Sequence, residues 1–382
     1  MKKVIAILLV IAMAMSFTFA SGSSEASGSG VITIGILQDT TGATATLGKS
    51  VQKGVEDAIA DINAAGGING KTVKYIEYDT AANVDTAIAA YIRAVTVDQV
   101  DFLFGPPIAN IVSGLKATTA SYNVPMITFA VDPLCYMDNN GKIYANLFCA
   151  QPSTVVQGQI MAEFALQNGF KTFGVFYTQD NSYSVSLLDP FVSTIKEKGG
   201  VIDSKNIIGY NASETDIKTL INPIIASGVD AIYCPNYTAP LVLIKKACDE
   251  LGYKGAIITG LDGAPAFNTQ VGADCSNVYY INNIDVYEAA TAKAIAERCT
   301  DVGAPNKYFL GYDSMQMAAQ VMAQVGTDGA AVAKALETAK YTGLTGTIQI
   351  DPASHMPVLG TPMFMYKYDG TTPVMLQKYP IN

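Results

Sequence analysis

Apolar residues recur along this chain with two alternating periods. From Val31 to Leu37 they occupy every second position, with Ile32, Ile34 and Ile36 on one face, which predicts a strand. The spacing then changes. Val51, Val55, Ile59 and Ile62 recur three and four residues apart, so one apolar stripe predicts a helix packed by a single face. That helix stops at Gly66-Gly67, where a left-handed cap costs glycine nothing. The turn Ile68-Asn-Gly-Lys71 then leads into the apolar run Val73 to Tyr78.

The same alternation continues. A helix is predicted over Asp85 to Val97, a strand over Val100 to Phe104 running into Gly105-Pro106-Pro107, a helix from about Ile108 to Ser121, and a strand over Pro125 to Phe129. A second series follows Ala150. It comprises a helix Val155 to Gln167, a strand Phe173 to Tyr177, a polar loop Thr178 to Ser184, a helix Leu187 to Lys198 and a strand Val201 to Ile208. Ser213-Glu-Thr-Asp216 opens another helix, before a strand Asp230 to Cys234, a helix Pro240 to Leu251, and strands Ala256 to Thr259 and Val278 to Ile281. Helices over Ala289 to Arg298, Gly311 to Val325 and Ala330 to Ala339 precede a β-like section, Thr345 to Tyr368. Strands separated by single helices predict an α/β fold of parallel sheets covered on both faces. Two series of similar length predict two similar lobes. Ligands of such sheets sit outside the carboxyl ends of the strands, which singles out the loops Gln38 to Gly48, Gly105 to Asn110 and Thr128 to Pro133.

Composition adds an address. Met1-Lys-Lys3, the apolar run Val4 to Met15 and the small residues up to Ala20 predict a cleaved export signal; the run is shorter than the ~20 residues of a spanning helix. No cysteine near the cleavage point supports a lipid anchor. Residues Ser21 to Gly30 are nearly all Ser, Gly, Ala and Glu, a flexible leader. Without the signal, 22 basic side chains stand against 33 acidic ones, a formal charge of −11. That excludes nucleic acid and anionic membrane as expected partners, since both require clustered Lys and Arg.

Catalytic signatures are missing. The one histidine, His355, lies in the polar turn Pro352-Ala-Ser-His-Met356, where a solvated residue is expected, and it has no partners for a triad or a metal site. There is no Walker loop, nucleophile elbow or dinucleotide fingerprint. Six cysteines permit up to three disulfides; Cys135 and Cys149, bracketing a turn-rich stretch, are the pair best placed for one, while Cys234 and Cys248 read as buried thiols. No enzyme, cofactor or metal is expected.

The opening strand, the Thr41-Gly42 loop, the run Asp61-Ile-Asn-Ala-Ala-Gly-Gly-Ile-Asn-Gly-Lys71 and Tyr78-Asp79 at a strand end resemble the leucine/isoleucine/valine-binding proteins. These are type I periplasmic solute-binding proteins of ABC importers. Gly105-Pro106, Met126-Ile-Thr, Gln157-Gly158, Glu214-Thr-Asp216, Gly311-Tyr312-Asp313 and Gly346-Thr-Ile-Gln-Ile-Asp351 extend the resemblance over roughly residues 31 to 370. It implies two lobes, 31–150 with 285–346 and 151–284 with 347–382, joined by crossings near Cys149 to Ser153, Asn283 to Tyr287 and Leu344 to Ile348. It also implies a monomer that closes its cleft around a small amino acid, or a related amine or amide, for a membrane permease.

The resemblance places a carboxylate site at the start of the helix after Pro107, with Ala109 where the family has a serine and Asp132 near its threonine. Ala109 keeps the amide but loses the hydroxyl; Asn110 offers a side-chain donor instead. Asp132 would repel a carboxylate by roughly 4 kcal/mol at ~4 Å in an intermediate dielectric. Either Asp132 turns away to cap the turn at Pro133, or the ligand is not a standard amino acid. Asp262 falls where the family grips an amine, Tyr183 and Tyr237 where it has pocket aromatics, and Leu47 beside the ligand side chain. Two other functions remain open: a soluble sensory module feeding a signalling partner, and a hydrolase pairing Asp132 with Asp262.

Overall fold

The computed structural model describes residues 30–357 and 363–379. The export signal and all of the leader but Gly30 lie outside them. The first half runs β1 (Val31–Gln38), α1 (Ala45–Ala64), β2 (Thr72–Asp79), α2 (Val84–Thr96), β3 (Phe102–Phe104), α3 (Ala109–Thr119), β4 (Met126–Thr128), β5 (Leu147–Cys149). The strands form one parallel sheet in the order β2-β1-β3-β4-β5.

The second half runs α4 (Thr154–Gln167), β6 (Thr172–Thr178), α5 (Ser182–Glu197), β7 (Val201–Tyr210), α6 (Ile217–Ala226), β8 (Ala231–Tyr233), α7 (Thr238–Glu250), β9 (Ala256–Thr259), α8 (Pro265–Val271), β10 (Val278–Asn282). Then come α9 (Ala289–Arg298), α10 (Pro305–Val325), α11 (Gly329–Leu336), β11 (Lys340–Gly343), β12 (Gly346–Gln349), β13 (Met363–Asp369) and β14 (Thr372–Tyr379). The second sheet has the order β14-β13-β10-β9-β8-β6-β7. It is parallel from β7 to β10, and the hairpin β13–β14 adds antiparallel to its edge.

The apolar stripe of α1 is core. Val51, Val55, Ile59 and Ile62 pack with Ile32, Ile34 and Ile36 of β1 and with Met315 and Met322 of α10, so α10 belongs to the first lobe although it follows the second in sequence. The two helices cross in close contact: a methyl group added at Gly54 would overlap the Tyr308 carbonyl, and one at Gly311 the Val51 carbonyl. Glycine permits that approach.

Several expectations are corrected. Helix α5 begins at Ser182, with Asn181 capping it through the Ser184 N–H, so Tyr183 lies in a first helical turn rather than in a loop. Helix α10 begins at Pro305, six residues before Gly311. The hairpin β11–β12 remains with the first lobe, where Ile348 and Ile350 join the cluster around Ile32; the chain has not crossed by Leu344 to Ile348. All six cysteines are buried and unpaired; the Cys149 thiol instead donates to the Ala130 carbonyl at 3.2 Å. His355 is buried, stacked on Phe148 at 4.2 Å between ring centres, with Nδ1 3.0 Å from the Leu147 carbonyl. Among the described residues no helix is long and apolar enough to cross a membrane, and no cluster of side chains is arranged to hold a metal.

Candidate functional site

Between the two sheets lies a cavity of about 120 Å³, opening into a wider groove of about 550 Å³. Leu47, Pro107, Phe129 and Val131 wall it from the first lobe, and Tyr183, Tyr237, Leu261 and Asp262 from the second. The turns that follow β10 and precede α10 supply Ile284, Val286 and Ala304 to Lys307. Most of these side chains are apolar, so an apolar body is favoured inside.

Tyr183 and Tyr237 stack with ring centres 5.0 Å apart and planes 8° from parallel. Burial holds both hydroxyls far above the ordinary tyrosine range, so they enter the cavity as neutral groups. Tyr237 immediately precedes α7 and makes no side-chain cap. Asp262 supplies that cap from the turn after β9: its carboxylate accepts the Thr238 N–H and the Thr238 hydroxyl, both at 3.1 Å. An acid at a helix start is stabilised by the unsatisfied N–H groups there. Burial nonetheless raises the Asp262 carboxyl above its usual range, opposed first by Lys307 and then by Thr238.

Lys307 is the second charge of the site. It stands in the first turn of α10, 7% exposed, and its Nζ donates to Gln151 Oε1 at 3.0 Å. Gln151 is held in turn by donating to the Phe129 carbonyl at 2.5 Å. Burial lowers the Lys307 pKa to about 8, with Asp262 and Cys149 opposing the shift. Among the described ion pairs, none joins Lys307 to Asp262 within 4.0 Å. An acid from one lobe and a base from the other thus share an apolar cavity without touching.

Residues 31–372 match the family of periplasmic binding proteins. The chain belongs to that family. A relative, Leu/Ile/Val-binding protein homolog 3 of Brucella melitensis, is 26% identical over 322 residues, which cover 81% of this chain and 84% of the relative. Solved structures share the fold. The branched-chain amino acid binding protein LivJ of Streptococcus pneumoniae, in complex with isoleucine, superposes with a TM-score of 0.78 at 23% identity, covering 91% of this chain and 99% of that one. A solute binding protein from R. palustris, in complex with 4-hydroxybenzoate, gives 0.79 at 15% identity, covering 91% and 97%.

This periplasmic binding protein brings four of the expected residues to the cavity: Leu47, Tyr183, Tyr237 and Asp262. Three others lie elsewhere. Ala109 is buried, its carbonyl facing the Cys135 thiol. Asn110 reaches the second lobe, and Asp132 caps the turn at Pro133 by accepting the Leu134 N–H at 3.0 Å. Asn110 and Asp132 line a separate opening with Asp180 and Ser182. Of the two possibilities left open for Asp132, turning away is the one observed. Lys307 escaped the sequence reading because the helix was begun at Gly311; the missed signal was Pro305, a residue favoured in the first helical turn.

Proposed function

We propose that this periplasmic binding protein carries a small apolar amino acid between its lobes, closes over it, and presents it to the permease of an ABC importer. The carrying observation is the apolar cavity between the lobes, with the Asp262 carboxylate on one wall beside two stacked tyrosines. A carboxylate in such a place has lone pairs for an ammonium group, and tyrosine faces attract cations. The relative from Brucella is named for leucine, isoleucine and valine, and the Streptococcus protein of the same fold holds isoleucine. Closure is a hinge motion in which the ligand stabilises one member of an open and closed pair. The protein works as a monomer outside the cytoplasm, reached through the export signal, without nucleic acid.

The same fold also holds 4-hydroxybenzoate in R. palustris, so the test must span both chemistries. Thermal unfolding is measured with each branched-chain amino acid, other amino acids, small amides, polyamines and hydroxybenzoates. The right solute at a hundred times its dissociation constant adds about 2.7 kcal/mol of stability. Stabilisation by hydroxybenzoates alone would overturn the amino acid reading.

A further inference from the structure

Resting on that reading, we propose that the ligand's carboxylate is held by Lys307 at the start of α10, not at the start of α3, so that an amino acid lies as a zwitterion between Lys307 and Asp262. The start of α3 is poorly placed for the task. Of that turn only Pro107 lines the cavity, and proline has no N–H to give. The Asn110 side chain is spent on the opposite lobe, accepting from Ser182 and donating to Asp180. Ala109 is covered.

The start of α10 is differently built. Ala304, Pro305, Asn306 and Lys307 all line the cavity, and Ala304 has no side chain with which to cap the helix. The Ala304 N–H gives to Ser50 Oγ, the Lys307 N–H to the Ala304 carbonyl, and Pro305 has none, so among the described hydrogen bonds the Asn306 N–H is the one left at this helix start for an anion. The independent observation is Lys307 itself: an ammonium more than nine-tenths buried, with one of its three N–H donors used by Gln151. A buried charge with unfilled donors is costly unless a partner arrives. Asp262 faces it from the other lobe without pairing, which leaves one group for each end of a zwitterion. Such a ligand ties the lobes together by its two charges, while its side chain meets Leu47, Phe129 and Ile284. An acid without an amine would leave Asp262 unmatched, and an amine without an acid would leave Lys307 unmatched.

The experiment is titration calorimetry on the mature protein with L-isoleucine, L-isoleucinamide and 4-hydroxybenzoate, using wild type, Lys307→Met and Lys307→Arg. Lys307→Met is expected to lose about 100-fold in isoleucine affinity, the worth of a charge-assisted hydrogen bond, while its affinity for isoleucinamide stays within about threefold. Lys307→Arg recovers most of the isoleucine affinity. Lys307 is faced by Asp262, Cys149 and Gln151, and burial lowers its pKa to about 8. Wild-type affinity for isoleucine therefore falls as pH rises past that value, and falls less in Lys307→Arg, the ligand's own amine being common to both. A structural lysine would behave otherwise: its removal would lower the melting temperature of the unliganded protein, whereas removing an unmatched buried charge keeps or raises it. Isoleucine binding within about threefold of wild type in Lys307→Met, or equal pH profiles in wild type and Lys307→Arg, overturns the proposal. If wild type binds 4-hydroxybenzoate and no amino acid, the amino acid reading fails, and Lys307→Met on 4-hydroxybenzoate judges the carboxylate anchor separately. Should Lys307→Met not fold, the arginine variant and its pH profile decide.

Discussion

Asn110 spans the cleft to Ser182. Its side-chain carbonyl, on the first lobe, accepts the Ser182 N–H at the start of α5 at 2.8 Å, and its amide donates to the Asp180 carbonyl at 3.4 Å. The bridge joins the two lobes beside Asn181, which also lines the wide groove; under the proposed closure it is made only when the lobes are together. Asn110→Ala removes about 1 kcal/mol from the closed form. Ligand affinity is expected to fall about fivefold, mainly through faster dissociation, because contacts made after encounter govern the off-rate. Stopped-flow release from wild type and variant checks this; an unchanged off-rate would show that the bridge adds nothing to closure.

Asp262 carries two tasks that substitution can separate. Its Oδ1 caps α7 by accepting from the Thr238 N–H and hydroxyl, and its charge faces the cavity. In Asp262→Asn the amide oxygen still accepts from Thr238, so the melting temperature of the free protein should move little. The ammonium of a bound amino acid loses its counter-charge, and about 100-fold in affinity is expected to go with it. Calorimetry on the hit from the thermal screen measures this, and an unchanged dissociation constant would remove Asp262 from the amine site.

How far the sequence carried the picture depends on what set each element. The period-2 run at β1 and the stripe of α1 were legible because burial of one face dictates them, and both are core. Asp262, Tyr183, Tyr237 and Leu47 were legible only through likeness to a family, since nothing in their own neighbourhoods distinguishes a cavity wall from a turn or an ordinary packed ring. Lys307 was not legible. Pro305 could have marked the helix start, but a lysine in a first turn is ordinarily solvated, and the burial of Lys307 comes from the packing of α10 into the first lobe. His355 was misread for a similar reason: Pro, Ala and Ser around it look like an exposed turn, yet the ring is covered by Phe148 from a strand some two hundred residues earlier. Long-range packing overrides local polarity in both cases.

His355 makes stability depend on pH. Burial lowers its pKa, against partial opposition from the Leu147 carbonyl, so the folded protein takes up a proton less readily than the unfolded chain. The contribution is fully present above the unfolded value of about 6.5 and is lost as pH falls below it. His355→Phe keeps the stack on Phe148 and removes the titration. Urea unfolding at pH 7.5 and 5.5 is expected to show a smaller loss of stability on acidification in the variant than in wild type. Equal losses would mean that His355 is not held neutral in the fold.

The cysteines offer a test of the fold that owes nothing to the ligand. Burial raises the Cys135 thiol to about 12 and the Cys149 thiol to about 11, so neither is reactive at neutral pH while the protein is folded. An aromatic disulfide reagent should titrate all six thiols in denaturant and almost none before unfolding. A reducing agent should leave the melting temperature where it was. A drop on reduction would mean that a disulfide forms after all, with Cys135 and Cys149 the first pair to examine.

The contact between α1 and α10 links stability to the site. Gly54 meets the Tyr308 carbonyl, and Tyr308 is the residue after Lys307. In Gly54→Ala the added methyl must push the helices apart or displace the first turns of α10, because its obstacle is backbone and not a movable side chain. Overpacking of this kind costs about 1–3 kcal/mol. Val55→Ala, one residue along on the buried face of α1, is the control. It costs about 2 kcal/mol by leaving a small cavity but puts no pressure on α10. Both variants should melt at lower temperature than wild type. Only Gly54→Ala should also weaken binding of isoleucine, since only it moves the turn that carries Lys307. Equal affinities in the two variants would show that the position of α10 is not transmitted to the cavity; weaker binding in both would show that affinity follows overall stability and not the placement of one lysine.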